Sequence, residues 1–169
     1  GNELLAEARE VGLDRKTLRT AFVRVVEYPD VVLVSQRSPR PDLRRVCDHL
    51  CTLIDGIEPH LPTNADRDEP DVFEKMIVKL LRQRRSADLD DPFEQFALLD
   101  EGDHAKHKPV QKRWPNGRMA KELYEEYSEF VTDELRPALQ RWREHVHGVA
   151  LDVLRPAAEA FAAERRRNG

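Results

Sequence analysis

The C-terminal third of the chain carries apolar residues at helical spacing for about fifty residues, and no other pattern in the sequence restricts the fold as strongly. Leu123, Tyr127, Phe130 and Val131 lead into Leu135, Leu139, Trp142, Val146 and Val149, and these into Leu151, Leu154, Ala158 and Phe161. Steps of three and four place each group on one face of a helix, and that face has to be covered. Pro137 and Pro156 fall inside the pattern. Proline has no N–H to give the helical ladder and its ring meets the carbonyl four residues back, so the spacing predicts two or three long, proline-kinked segments over 118–167. LRPA occurs at 135–138 and again at 154–157, but a single recurrence does not make a repeat architecture.

The same periodicity continues upstream in shorter pieces. Leu4, Leu5, Ala8 and Val11 mark a first helix that Gly12 can stop, and Asp14 caps a second through Leu18, Phe22, Val25 and Val26, ended by Pro29. Pro39 and Pro41 precede a helix with Leu43, Val46, Cys47, Leu50 and Ile54 on one face, ending near Gly56. Asp71 or Pro70 begins the next, with Val72, Phe73, Met76, Ile77, Leu80 and Leu81, and Pro92 starts a shorter one through Phe93, Phe96 and Leu99. VVLVSQ at 31–36 is the one β-branched run, with no partner strand in the sequence. With 36% charged residues and only 7 glycines, the chain is expected to be an all-α, multi-helix protein with at most one short strand, its 169 residues forming a single helical domain over 1–169. No apolar run reaches the length of a membrane span, and a soluble, cytoplasmic protein is expected.

Function is sought where the charge pattern breaks. From His104 to Lys121 there is no carboxylate, while Lys106, Lys108, Lys112, Arg113, Arg118 and Lys121 all fall inside that segment of a chain with net charge -4. A basic, Pro/Gly-punctuated loop over 104–118 with Trp114 at its centre is suited to a phosphate backbone, since cations neutralise phosphates and an indole face can stack on a base. The opposing reading is a solvated connector with Trp114 packed at its root. RQRRS at 82–86 and RRR at 165–167 would extend the patch if the fold gathered them.

Other chemistries find less. ALLDEGDH at 97–104 imitates a strand ending in a magnesium-binding Asp-Glu, but no GxxxxGK[ST] accompanies it, and Asp-Glu is equally a helix end. Asp103, His104 and His107 could gather a metal on a loop, against the field of the neighbouring cations. Cys47 and Cys51, four apart on a helix, are poorly spaced for a disulfide and too few for zinc; they read as small apolar residues of a buried face, with His49 turned about 200° away. His145 and His147 read as surface or helix-end histidines, and Glu125 and Glu126 as partners for cations such as Lys121.

The order of these pieces resembles a known family. A GL-x-x-x-x-L-x-x-A-F stretch from Gly12 to Phe22 precedes charged helices and then VQKRWPNGRMAKELYEEYSEFVTDELRPALQRWREHVHGVALDVLRPAAEAFAAERRRNG, which is similar to the 1B subdomain of UvrD/Rep-type superfamily 1 DNA helicases, in the branch of helicase-nucleases such as AddA and RecB. That subdomain is a helical insertion in the first motor domain, so the resemblance implies a piece of a larger protein, in keeping with a sequence that starts GNELL without an initiator methionine. It implies a non-catalytic part of an ATP-dependent DNA helicase acting in DNA unwinding, repair and recombination. ATP, magnesium, hydrolysis and any exonuclease activity belong to the parent, with no cofactor or metal in the fragment. The implied partners are DNA, as single strand or fork, and the rest of the motor. Lys106, Lys108, Lys112, Arg113 and Arg118 would then meet phosphates, with Trp114 stacking on a base or packing at the loop root. The alternative is a helical protein–protein interaction module with no nucleic-acid role, its Leu139 and Trp142 stripe covered by a partner.

Overall fold

Helix-stop and helix-start chemistry sets the architecture. The computed structural model describes residues 2–27, 38–63, 69–103 and 108–169, and among these every regular element is helical. The helices are α1 (Asn2–Glu10), α2 (Arg15–Glu27), α3 (Arg44–Ile57), α4 (Val72–Ser86), α5 (Pro92–Glu101), α6 (Gly117–Phe130) and α7 (Arg136–Asn168). Single 3₁₀ turns occupy Glu58–His60 and Gln111–Arg113, and a π turn occupies Val131–Leu135. The run 31–36 lies outside the described residues. No described helix is long and apolar enough to cross a membrane.

Within the span read from sequence as one domain, the chain divides into two compact units: a terminal unit of Gly1–Pro41 with Arg141–Gly169, and a central unit of Asp42–Gln140. In the terminal unit, α1 ends as the sequence predicts. Gly12 takes φ 79, its N–H donates to the Arg9 carbonyl, and the Leu13 N–H donates to the Ala8 carbonyl, the paired bonds of a glycine helix stop. Any residue with a Cβ would be strained at that φ. Asp14 then caps α2 by accepting from the Thr17 N–H at 2.7 Å. Phe22 meets Phe161 edge to face, with ring centres 6.4 Å apart. His145, expected at the surface, is instead buried, with Nδ1 3.0 Å from the Ser38 carbonyl oxygen; the apolar spacing of α7 carries it inward beside Trp142. His147 is exposed.

The central unit packs α3, α4, α5 and α6 around Leu50, Ile54, Phe73, Ile77, Leu99 and Tyr127, each at most 1% exposed. Asp71 caps α4 and Pro92 takes the first position of α5, as expected, and Asp91 supplies the α5 cap. Tyr127 sends its hydroxyl to the Gly102 carbonyl at 2.5 Å, closing the end of α5 onto α6. Burial pushes that phenol well above its ordinary value of 10.0.

The long C-terminal pattern forms a helical run of 52 residues. Pro137 sits just after the start of α7, where its missing N–H and the clash with the carbonyl of Asp133 are absorbed by the π turn, whose Arg136 N–H reaches back five residues to Val131. Pro156 lies inside α7 and does not end it. Leu139 and Trp142 are 0% and 2% exposed, so the stripe assigned to an external partner is already covered within the folded chain.

Candidate nucleic-acid interface

The basic segment is built upward from one carboxylate. Asp71 precedes α4 in extended conformation, and its Oδ1 accepts from the Glu74 N–H at 2.8 Å, as an N-cap should. Its other oxygen is committed across the unit: Oδ2 accepts from the Val110 N–H at 3.0 Å and from Trp114 Nε1 at 2.8 Å. Asp71 therefore ties both ends of the turn 110–114 to the N-cap of a core helix. A buried indole N–H needs such an acceptor, and an ionised one gives the stronger bond.

Trp114 completes the root. It is 4% exposed and stacks on Phe73, ring centres 5.7 Å apart and planes inclined by 28°. Of the two roles open to it in the sequence, the structure gives it packing at the loop root, and its face is taken by Phe73. Pro115 and Asn116 then turn the chain into α6, where Asn116 caps by accepting from the Met119 N–H at 3.1 Å. Gly117 is required by close approach: a Cβ there would lie 2.8 Å from the Gln111 carbonyl oxygen and 2.9 Å from the Gln111 Cβ.

The cations divide by environment. Lys108 and Lys112 are exposed, and neither forms an ion pair among the described residues. Arg118 is exposed and reaches Glu122 at 3.2 Å, one helical turn on. Arg113 is drawn inward, its side chain 20% exposed and 3.8 Å from the Glu74 carboxylate, which is itself 11% exposed. Burial first and the charge of Asp71 second raise the Glu74 pKa above its ordinary 4.5, and Arg113 opposes them. Lys106, with His104 and His107, lies outside the described residues. Lys108, Lys121 and Glu125 border a cleft of about 180 Å³ beside Tyr124.

The arginines of 82–86 do not join this surface. They stand at the far end of α4, about 20 Å from Asp71 at 1.5 Å per residue, where Arg84 pairs with Asp55 and Arg85 with Glu58. Asp103 is held by Arg136 Nε at 2.9 Å. Among the described residues no group of three or more His, Cys, Asp or Glu is placed to hold a metal.

What sequence reasoning missed is Asp71 as the anchor. Its role as helix start was readable, but a bond to a tryptophan 43 residues away leaves no local signal. No protein-family model, curated protein or solved structure matches the chain.

Proposed function

We propose that the chain is a non-catalytic DNA-contacting element that touches the phosphate backbone through the turn 108–118, in the manner of a 1B subdomain of a UvrD/Rep-type, AddA/RecB-like helicase. In that setting ATP, magnesium and any nuclease chemistry lie in the parent protein, which works in the cytoplasm, and the rest of the motor is this element's constant partner. One observation carries the reading. Lys108, Lys112 and Arg118 stand exposed on a turn whose backbone is fixed by Asp71 and Trp114, so cations are presented without the ordering cost of a free loop.

Such contacts are independent of base sequence and steeply salt-dependent. Three phosphates neutralised on single-stranded DNA give a slope of log K on log salt of about -2, so affinity should fall about 20-fold between 50 and 200 mM salt. The test is fluorescence anisotropy with labelled single-stranded and forked DNA over a salt series, beside a Lys108→Ala/Lys112→Ala/Arg118→Ala variant. Binding with that slope, lost in the variant, supports the reading; binding indifferent to the three changes, or none at low salt, removes it.

A further inference from the structure

Cys47 and Cys51 lie one turn apart on α3, Cys47 buried and Cys51 partly exposed. Arg84 crosses from α4 to this turn, its Nη1 3.4 Å from the Cys51 carbonyl oxygen, and Asp55 holds the guanidinium in place. The hydrogen bond from Cys47 is the main influence lowering the Cys51 pKa to about 7; Arg84 adds to it and burial opposes it. The neighbouring Cys51 first and burial second push the Cys47 thiol up.

Two chemistries usual for paired cysteines do not fit. A disulfide needs Cβ atoms about 3.5–4.5 Å apart, whereas residues four apart on a helix hold them about 5–6 Å apart. Closing that gap would unwind a helix fixed by the buried Leu50, Leu53 and Ile54. Zinc needs four ligands in a tetrahedron, and the nearest histidine in sequence, His49, is engaged by Glu134 and lies edge-on to Phe130. Sulfurs carried on Cβ atoms at that helical separation are within reach of one bridging atom, since two metal–sulfur bonds of about 2.3 Å reach about 4.6 Å end to end.

We propose that Cys47 and Cys51 form a two-thiolate site for a soft, two-coordinate d¹⁰ cation such as copper(I). Two sulfur ligands select a soft cation over zinc or magnesium. The partly exposed Cys51 thiolate takes the cation first. The Cys47 thiol then gives its proton to solvent and its sulfur to the metal, so one cation enters, one proton leaves, and the bis-thiolate complex carries one negative charge. Arg84 stands beside that charge.

Silver(I), which has the same preferences without redox chemistry, is the probe. Native mass spectrometry of the whole chain, titrated with silver(I) against a ten-fold excess of a competing monothiol, should show one silver per chain. Cys47→Ser and Cys51→Ser should each weaken retention about 100-fold, with circular dichroism confirming that each is folded; if Cys47→Ser fails to fold, the partly exposed Cys51→Ser decides. Zinc(II) should not be retained in a parallel titration. Two silver ions on the wild type and one on each variant would mean independent thiols and overturn the site, as would wild-type retention by Cys51→Ser or tight zinc binding.

Discussion

Replacing Asp71 by Asn keeps the shape of the anchor and removes one of its two acceptors. The carboxylate serves three donors: the Glu74 N–H on Oδ1, and the Val110 N–H and Trp114 Nε1 on Oδ2. An amide that keeps its oxygen on the cap turns its NH₂ toward the other two donors; flipped, it abandons the cap. The first arrangement strands a buried indole N–H at about 1–3 kcal/mol and the Val110 N–H at about 1 kcal/mol. The second loses a cap of about 1 kcal/mol and places a donor against the Glu74 N–H. Either way Asp71→Asn should cost about 2–4 kcal/mol, a large share of the stability of an ordinary domain.

A double-mutant cycle with Trp114→Phe isolates the central bond, because phenylalanine keeps a ring against Phe73 and removes only the N–H donor and part of the area. Urea unfolding followed by far-ultraviolet circular dichroism supplies the four stabilities. With a slope of about 2 kcal/mol/M, Asp71→Asn should move the midpoint down by about 1–2 M. The coupling between the two changes should be about 1.5–3 kcal/mol, the range for a hydrogen bond to a charged group. A coupling below about 0.5 kcal/mol would refute the reasoning, since residues that share no bond add independently to that extent. The variant carries a functional readout as well. With its root released, the turn must be ordered at the moment of binding, and DNA affinity should fall although no cation has been removed.

Glycine substitutions at two helical positions should have opposite signs: Gly56→Ala, with nothing within 4 Å of the added Cβ, should stabilise by about 0.5–1 kcal/mol, while Gly117→Ala must displace the Gln111 backbone and should destabilise by about 1–3 kcal/mol in thermal or urea unfolding. Because the folded-state pKa of Glu74 is raised above its ordinary 4.5, the folded state holds a proton that the unfolded state releases between those two values. The stability of the wild type relative to Glu74→Gln should therefore fall as pH rises from 4.5 through the raised value; a difference that is flat with pH, or rises, would contradict the buried carboxyl. Iodoacetamide should modify Cys51 with a rate half-maximal near pH 7 and leave Cys47 untouched, and Arg84→Gln should move that midpoint upward, as followed by intact mass.

Helices were legible in the sequence because their signals are local. The Gly12 stop, the Asp14 and Asp71 caps and the proline at the start of α5 each act within four residues, and the structure uses all of them. The site was legible only as composition. Nothing near Trp114 in the sequence says whether its indole faces solvent or a carboxylate 43 residues earlier, and the answer changes its role from ligand contact to support. Burial along α7 was hidden in a similar way: His145 keeps the helical register of Trp142 and Val149, but a polar side chain in that register reads as a surface residue until its Ser38 partner is seen.

Glu74 and the exposed Glu122 reduce the effective charge of the turn, so under the proposed function the salt dependence of DNA binding should report how its cations are paired. Six cations counted from the sequence, all neutralising phosphates on a single strand, would give a slope of about -4 and a loss of several hundred-fold between 50 and 200 mM salt. In the folded chain Arg113 is held by Glu74, so its charge is already balanced where it sits, and Arg118 must exchange Glu122 for a phosphate to contribute. Lys108 and Lys112 have no such competitor among the described residues. Lys121 is likewise paired, with Glu125 at 3.9 Å, and Lys106 lies outside the described residues, so the share of the slope carried by the described cations should lie between about -1.4 for those two alone and about -2 with Arg118 engaged. Removing Glu122 should steepen it toward the upper figure by freeing Arg118, while removing Glu74 should cost stability before it adds a phosphate contact, because the largely buried Arg113 would lose its pairing with Glu74.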